Sequence, residues 1–146
     1  MRIAAQFSGP CSWFGGPEDQ GVSPSEDLAW WETWDQVCDA DAEFLFLDEQ
    51  PGGTSGMARR LNCNEVNYVA CRWNYAETSK ATLRDHRNNF CVVYAPSTDR
   101  SAIAHPADWG PNEMTGRTAD LSLSLMEELG GIETDDTVVV IYLVAD

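Results

Sequence analysis

Residues 106–130, PADWGPNEMTGRTADLSLSLMEELG, constrain the fold more than any other stretch of this chain. A Trp-Gly-Pro turn is followed by a short extended step and then by an amphipathic helix. Asp120 and Ser122 can cap this helix, because their side-chain oxygens can accept hydrogen bonds from its free N–H groups. A leucine at every fourth position from Leu121 gives the helix one buried stripe. Two glycines, 130–131, mark its C-terminal end.

The segments around this helix favour strands. The unbroken apolar run in 135–144, DDTVVVIYLV, predicts a last strand that is buried on both faces. Pro106 cannot donate to a strand ladder, so its strand is expected near a sheet edge or a strand end. The pattern is mainly β over a single domain, 1–146, with one well-marked helix between the last two strands. The other predicted strands are 2–7, 43–48, 67–73, 90–96 and 101–108.

The charge is strongly negative and unevenly distributed. The net charge is −15, which argues against nucleic acid as a partner because a phosphate backbone would repel the protein. Residues 1–50 carry eleven acids and one Arg, and residues 108–146 carry nine acids and one Arg. Residues 51–107 carry seven Lys or Arg and four acids. The pattern fits either a solvated acidic surface or a middle segment that docks against acidic neighbours.

Targeting and metal-binding signals are not found in the sequence. No run approaches the roughly 18 apolar residues that a membrane helix needs, so membrane insertion is not expected. The N-terminus lacks the apolar core of a signal peptide, which predicts synthesis in the cytoplasm without a secretion signal. The five cysteines form no C-x-x-C pair, and there are two histidines. We therefore predict free, mostly buried thiols, with no metal site and no cofactor.

The part of the chain from the Trp-Gly-Pro turn onward resembles the C-terminal half of an RlpA-like domain. The resemblance lies in the order of the elements, which are the Trp-Gly-Pro turn, the Gly-Arg step, the Asp-Leu-Ser segment, the helix and the final strand. The RlpA-like family is related to expansins and to some endoglucanases. Residues 11–30 resemble the opening of the same domain more weakly. The resemblance implies a six-stranded double-psi β-barrel with one short helix before the last strand. The matching residues are Asp108, Gly110, Pro111, Gly116, Arg117, Asp120, Leu121, Ser122, Leu129 and Gly130.

The resemblance also implies a chemistry. RlpA-like domains act on peptidoglycan glycan strands, where a carboxyl group protonates the glycosidic oxygen and a second group assists. Asp108 occupies the position of the family's acidic turn residue, and Asp120 that of an acid in the sugar-cleaving relatives. Asp19 is a third candidate carboxylate. The family's assisting histidine has no counterpart in the first half of this chain. His105 is expected on the opposite face of its strand from Asp108.

Aromatic side chains and one arginine are the candidate binding residues. Tryptophans can stack on sugars, but they can equally fill the core or form an interface between chains. Arg117 is expected to pair with a nearby carboxylate rather than with a substrate. The candidate binding residues are Trp13, Trp30, Trp31, Trp109 and Arg117.

Three functions stay open at this point. The first is a virion-associated structural or interaction protein of phage type, such as a tail component, with lost or weak peptidoglycan activity. It would bind other protein chains or further copies of itself. The second is a lytic transglycosylase or glycoside hydrolase that acts on the peptidoglycan glycan strand with Asp108 as general acid. The third is a cytoplasmic binding domain.

Overall fold

The computed structural model describes residues 1–17, 31, 34–47, 61–74, 76–111 and 113–145. Two residues predicted to act in a site, Asp19 and Trp30, lie outside these ranges. The described strands are β1 (Arg2–Trp13), β2 (Tyr68–Cys71), β3 (Phe90–Ala95), β4 (Arg100–Trp109), β5 (Ala119–Leu121) and β6 (Thr137–Val144). The described helices are α1 (Trp34–Asp39), α2 (Lys80–Arg84) and α3 (Leu123–Glu128).

The six strands close into a barrel in the order β1-β5-β2-β4-β3-β6. The pairs β1–β5 and β2–β4 are parallel, and the other four pairs are antiparallel. The prediction of a mainly β fold with a six-stranded closed barrel is therefore confirmed. Strand β6 pairs with β1 along one edge and with β3 along the other. The expectation that it is buried on both faces is wrong, because Val139, Ile141 and Leu143 on its outer face are half-buried.

The strand pairing repeats between the two halves of the chain. If β1, β2 and β3 exchange places with β4, β5 and β6, the strand order maps onto itself. The parallel pair β1–β5 then becomes the parallel pair β4–β2, and each antiparallel pair also becomes an antiparallel pair. The two halves thus build the barrel in the same way.

The barrel interior is apolar because inward-facing residues alternate with outward-facing ones along each strand. In β6, Val138, Val140 and Tyr142 are fully buried, whereas Val139 and Ile141 between them are half-buried. The strands β1, β3, β4 and β5 add further interior residues. These are Ala5, Phe7, Cys11, Cys91, Val93, Ala95, Ala102, Ala104, Ala119 and Leu121.

Helix α3 forms where its cap predicts, although it begins after Asp120. Ser122 is the N-cap, and its hydroxyl accepts from the N–H of Leu125 at 3.3 Å and from the N–H of Tyr68 at 3.1 Å. Asp120 belongs to β5, so it does not cap the helix. The predicted leucine stripe is fully buried from Leu121 to Leu129.

The predicted strand at 43–48 is wrong. Glu43–Leu45 form a 3₁₀ turn, and Phe46 makes an isolated bridge to Leu61. Leu45 and Phe46 are adjacent and are both buried. Two neighbouring side chains of a strand would point to opposite faces, so the turn lets both pack into the same core.

Pro106 lies just beyond the end of the ladder between β4 and β3, which covers residues 100–104. The N–H of His105 donates to the carbonyl of Asn67 on the β2 side. The nitrogen of Pro106 therefore faces the β3 side, where the pairing has ended, as expected for a position near an edge or an end.

Strand β4 lies between β2 and β3 in the closed barrel. The ladder between β2 and β4 shifts register where Val69 pairs with Pro106 and Ala70 pairs with Asp108, which leaves Ala107 as an extra residue. A bulge of this kind accommodates a proline inside a sheet.

Candidate functional site

Two of the carboxylates predicted from the sequence lie in one row across neighbouring strands. Ala70 on β2 pairs with Asp120 on β5 and with Asp108 on β4. The row continues onto β1, where Ser12 pairs with Asp120. Side chains that are directly opposite each other on paired strands share a face of the sheet. The barrel therefore brings Asp108, Asp120 and Ser12 to one face, with a small residue between the two aspartates.

The spacing of the two aspartates follows from this register. Each strand spacing is about 4.8 Å, so the Cα atoms of Asp108 and Asp120 are about 10 Å apart across β2. In inverting glycosidases the acid and the base carboxyl groups are about 6.5–9.5 Å apart, which leaves room for a water molecule. The backbone spacing is compatible with that arrangement.

The row lies on the outer face of the barrel. One neighbouring row contains Cys11 and Cys71, and the other contains Leu121 and Val69. All four residues belong to the core. Alternation along the strands then turns the aspartate row outward. Its two aspartates are half-buried, and Ala70 between them is 2% exposed.

The turn at the end of β4 orients Asp108. Its carboxylate oxygen Oδ1 accepts a hydrogen bond from the N–H of Trp109 at 2.8 Å. Short polar side chains commonly bond to the adjacent backbone in turns of this type. Part of the carboxylate's hydrogen-bonding capacity is therefore used within the turn itself.

Because of the bulge at Ala107, His105 lies on a different face of β4, relative to Asp108, from the one expected from the sequence. His105 pairs with Tyr68, and Asp108 pairs with Ala70, which is two residues further along β2. Because Tyr68 and Ala70 share a face, His105 and Asp108 also share the outer face, and the prediction of opposite faces is wrong. Strict alternation along the strand puts His105 on the wrong face, although a proline inside a strand is a usable signal for a bulge.

The environment of His105 favours its neutral form. The residue is exposed overall, and desolvation of the packed side of its ring lowers the pKa of the imidazole below the ordinary value. The ring packs edge-on against Phe44, with 4.9 Å between the centroids. A neutral imidazole has one nitrogen that can accept a proton or a hydrogen bond, which is the form that assists a nearby acid or water.

The candidate tryptophans occupy different environments. Trp31 is 2% exposed and belongs to the core, where its ring lies 6.2 Å from that of Phe46 in an edge-on contact. Its faces are therefore not accessible for stacking on a sugar. Trp109 is half-buried and packs against the core. Trp13, at the end of β1, is 46% exposed and is the most accessible of the three.

Arg117 forms an ion pair with Asp135. The guanidinium Nε donates to Oδ1 of Asp135 at 2.9 Å. This hydrogen bond lowers the pKa of Asp135 and raises the pKa of Arg117. The prediction that Arg117 pairs with a local carboxylate is confirmed.

Cysteine chemistry is not favoured in the barrel. The five cysteines are free thiols, and four of them are buried. Burial raises the pKa of Cys11 to about 11 and also raises the pKa values of Cys71 and Cys91. A thiol acts as a nucleophile in its thiolate form, so these three side chains are inert near neutral pH. Within the described ranges, no three His, Cys, Asp or Glu side chains converge in a way that could hold a metal ion.

No protein-family model matches the chain, and no match is found among curated proteins. Across the described residues, no helix has the length and apolarity needed to span a membrane.

Proposed function

We propose that this chain is an interaction protein, a phage-type virion or tail component built on an RlpA-like double-psi β-barrel, and that it binds a second copy of itself. The repeated strand pairing of the two halves, with one parallel pair in each, supports the double-psi topology. One observation carries the proposed function, namely an apolar surface on the outside of the antiparallel side of the barrel.

This surface, which we call the apolar face, is formed by the apolar side chains of three adjacent outward-facing rows, whose ends carry the polar residues Gln6, Ser8 and Ser101. Ile103 on β4 is 63% exposed, and Ile3 on β1 is 59% exposed. The residues between them on β3 and β6 are half-buried. Contiguous apolar surface of this kind usually marks an interaction site. The apolar face consists of Ile3, Phe90, Val92, Tyr94, Ile103, Val139, Ile141 and Leu143.

The charge of the chain favours self-association at this face over other places. The net charge of −15 makes two copies repel each other across most of their surfaces. None of the eight side chains of the apolar face is charged, so two copies can approach there at the lowest electrostatic cost. β-branched and aromatic side chains on two such sheets can interdigitate at a sheet separation of about 10 Å.

Sedimentation equilibrium tests this proposal. We expect the wild-type protein to form a dimer in a concentration-dependent manner. Ile103→Asp places a charge at the most exposed side chain of the face and should weaken the dimer at least about tenfold, which corresponds to about 1.4 kcal/mol. Met114→Asp is the matched control, because Met114 is 95% exposed on the Glu113–Thr115 turn, away from the apolar face. A wild-type protein that stays monomeric at all concentrations, or an equal effect of both variants, would contradict the proposal.

A second candidate function is cleavage of peptidoglycan glycan strands, and the aspartate row favours it. Asp108 would protonate the glycosidic oxygen and Asp120 would activate a water, at the backbone spacing described above. His105 on the same face would assist as a neutral imidazole.

Release of soluble fragments from purified peptidoglycan separates the two functions. If the chain is an interaction protein, we expect weak or no release. Strong release that Asp108→Asn and Asp120→Asn both abolish, without a change of more than a few degrees in the thermal midpoint, would establish the enzyme instead. Asp39→Asn is the matched control, since Asp39 is exposed at the end of α1.

A further inference from the structure

A groove of about 700 Å³ runs along β1 on the side away from β6. One wall is formed by Gln6, Phe7 and Ser8 of β1. The other wall combines the segment after β2 with the segment before β5. The residues of these two segments are Arg72, Trp73, Asn74, Ala76, Glu113, Gly116, Arg117 and Thr118.

Among the residues that the structure describes, the wall on β1 exposes a strand edge. Residues 2–10 of β1 pair with β6, whereas pairing with β5 on the other edge covers residues 11–13. The carbonyl of Pro10 accepts from the N–H of Thr118 at 2.8 Å, and the carbonyl of Ser8 faces the Thr118 hydroxyl at 3.5 Å. Both carbonyls therefore point away from β6. Because backbone groups alternate in an antiparallel ladder, the N–H of Ser8 and both backbone polar groups of Gln6 face the groove.

The floor of the groove is apolar and already packed. The rings of Phe7 and Trp73 meet edge-on with 4.8 Å between their centroids. Trp73 also stacks on His86, with 5.1 Å between the centroids and 19° between the planes. A sugar needs an open aromatic face, and the ring of Trp73 is engaged in these contacts. An aliphatic side chain needs an apolar surface alone, which this floor provides.

The rim of the groove carries two arginines in exposed ion pairs. Nη2 of Arg72 lies 3.0 Å from Oε1 of Glu113, and Arg117 pairs with Asp135 as described above. The carboxylates of Glu113 and Asp135 are largely exposed, at 83% and 64%. Exposed pairs of this type contribute about 0–1 kcal/mol, so each arginine can exchange its partner for an incoming carboxylate at little cost.

From this combination we infer that the groove binds an extended acidic peptide segment of another protein chain, which adds as a strand to the free edge of β1. The inference does not depend on self-association through the apolar face. Side chains of an added strand alternate between two faces. Those on one face pack on Phe7 and Trp73, and those on the other meet Arg72 and Arg117. The groove thus selects a segment in which apolar and acidic residues alternate.

Fluorescence anisotropy with a labelled octapeptide of alternating Val and Glu tests the inference. We expect the full chain to bind this peptide, and Arg72→Glu and Arg117→Glu each to weaken binding at least about tenfold. Arg100→Glu is the matched control, because Arg100 is exposed at the start of β4 and does not line the groove. This variant should change the affinity less than about twofold. Equal losses from all three variants would show attraction by net charge and would overturn the inference.

Two further probes separate strand addition from other binding modes. A Val-Glu octapeptide that is N-methylated at alternate residues cannot form the backbone hydrogen bonds, and we expect it not to bind. Equal binding of the methylated peptide would overturn the inference. A tetramer of β-1,4-linked N-acetylglucosamine should not displace the unmethylated peptide. If it does displace the peptide, the groove is a glycan site and the inference is wrong.

Discussion

The two sides of the barrel follow the same alternation of inward and outward residues, but they differ in what covers their outer surfaces. On the side of β2 and β5, the outward-facing Tyr68 is fully buried, and its hydroxyl donates to the carbonyl of Phe14. Ala70 in the same strand is 2% exposed. On the side of β3 and β6, the outward-facing Ile103 is 63% exposed.

Chain connectivity explains the difference. Parallel strands need long crossover connections, whereas antiparallel neighbours can be joined by a tight turn. Both parallel pairs lie on the β2 and β5 side, where the residues around 14–16 and 61–66 pack over the strands. The antiparallel strands β3 and β4 are joined by the short turn at 96–99. The first side therefore encloses a polar site, and the second leaves an apolar face open for binding.

The largest expected effect is on the free energy of unfolding, where a substitution inside the barrel on β6 is compared with one on the apolar face. Val140 is fully buried in the barrel, so Val140→Asp buries an unpaired charge and should cost at least about 3 kcal/mol or prevent folding. Ile103→Asp, on the exposed face, should change the free energy of unfolding of the monomer by no more than about 0.5 kcal/mol. Urea unfolding at low protein concentration measures both. Similar losses in the two variants would mean that the face assignment is wrong.

A smaller loss of stability is expected when a helix cap is removed, and the loss should be larger for the cap on the covered side of the barrel than for an exposed cap. The Ser122 hydroxyl is buried and accepts from the N–H groups of Leu125 and Tyr68, so it ties α3 to β2. Ser122→Ala should cost about 2 kcal/mol, because a buried backbone donor also loses its partner. Ser79 caps α2 at an exposed position by accepting from Thr82. Ser79→Ala should cost about 1 kcal/mol or less. Equal costs in thermal unfolding would argue against a structural tie between α3 and β2.

The smallest expected effect is a pH dependence at His86, whose ring stacks on Trp73. Burial lowers the pKa of His86 in the folded state, so the unfolded chain takes up the proton first as the pH falls. The stability that the neutral ring contributes is present above the unfolded pKa of about 6.5 and is lost as the pH falls through the folded pKa. The difference in free energy of unfolding between the wild type and His86→Gln should therefore shrink from pH 7.5 to pH 5. A constant difference would contradict this linkage.

Local patterns predicted much of the barrel but not its long-range pairing. The apolar run of β6, the Ser122 cap and the leucine stripe depend on neighbouring residues, and the sequence placed them correctly. The bulge at Ala107 depends on which strand lies beside β4, which no local pattern specifies. Similarly, Asp108 and Asp120 could be selected as candidates from the sequence. Their common neighbour Ala70 could not be identified, because β2 is inserted between them from a distant part of the chain.

The apolar face is tested most directly by the methyl signals of the four isoleucines in the chain. Ile3, Ile103 and Ile141 lie on the apolar face, whereas Ile132 is 6% exposed in the core after α3 and serves as an internal control. In ¹³C-methyl NMR spectra recorded over a dilution series, the signals of the three face isoleucines should shift together as dimers dissociate, and the signal of Ile132 should stay constant. Spectra that do not change with concentration, or changes at Ile132 as large as those at Ile103, would contradict the account.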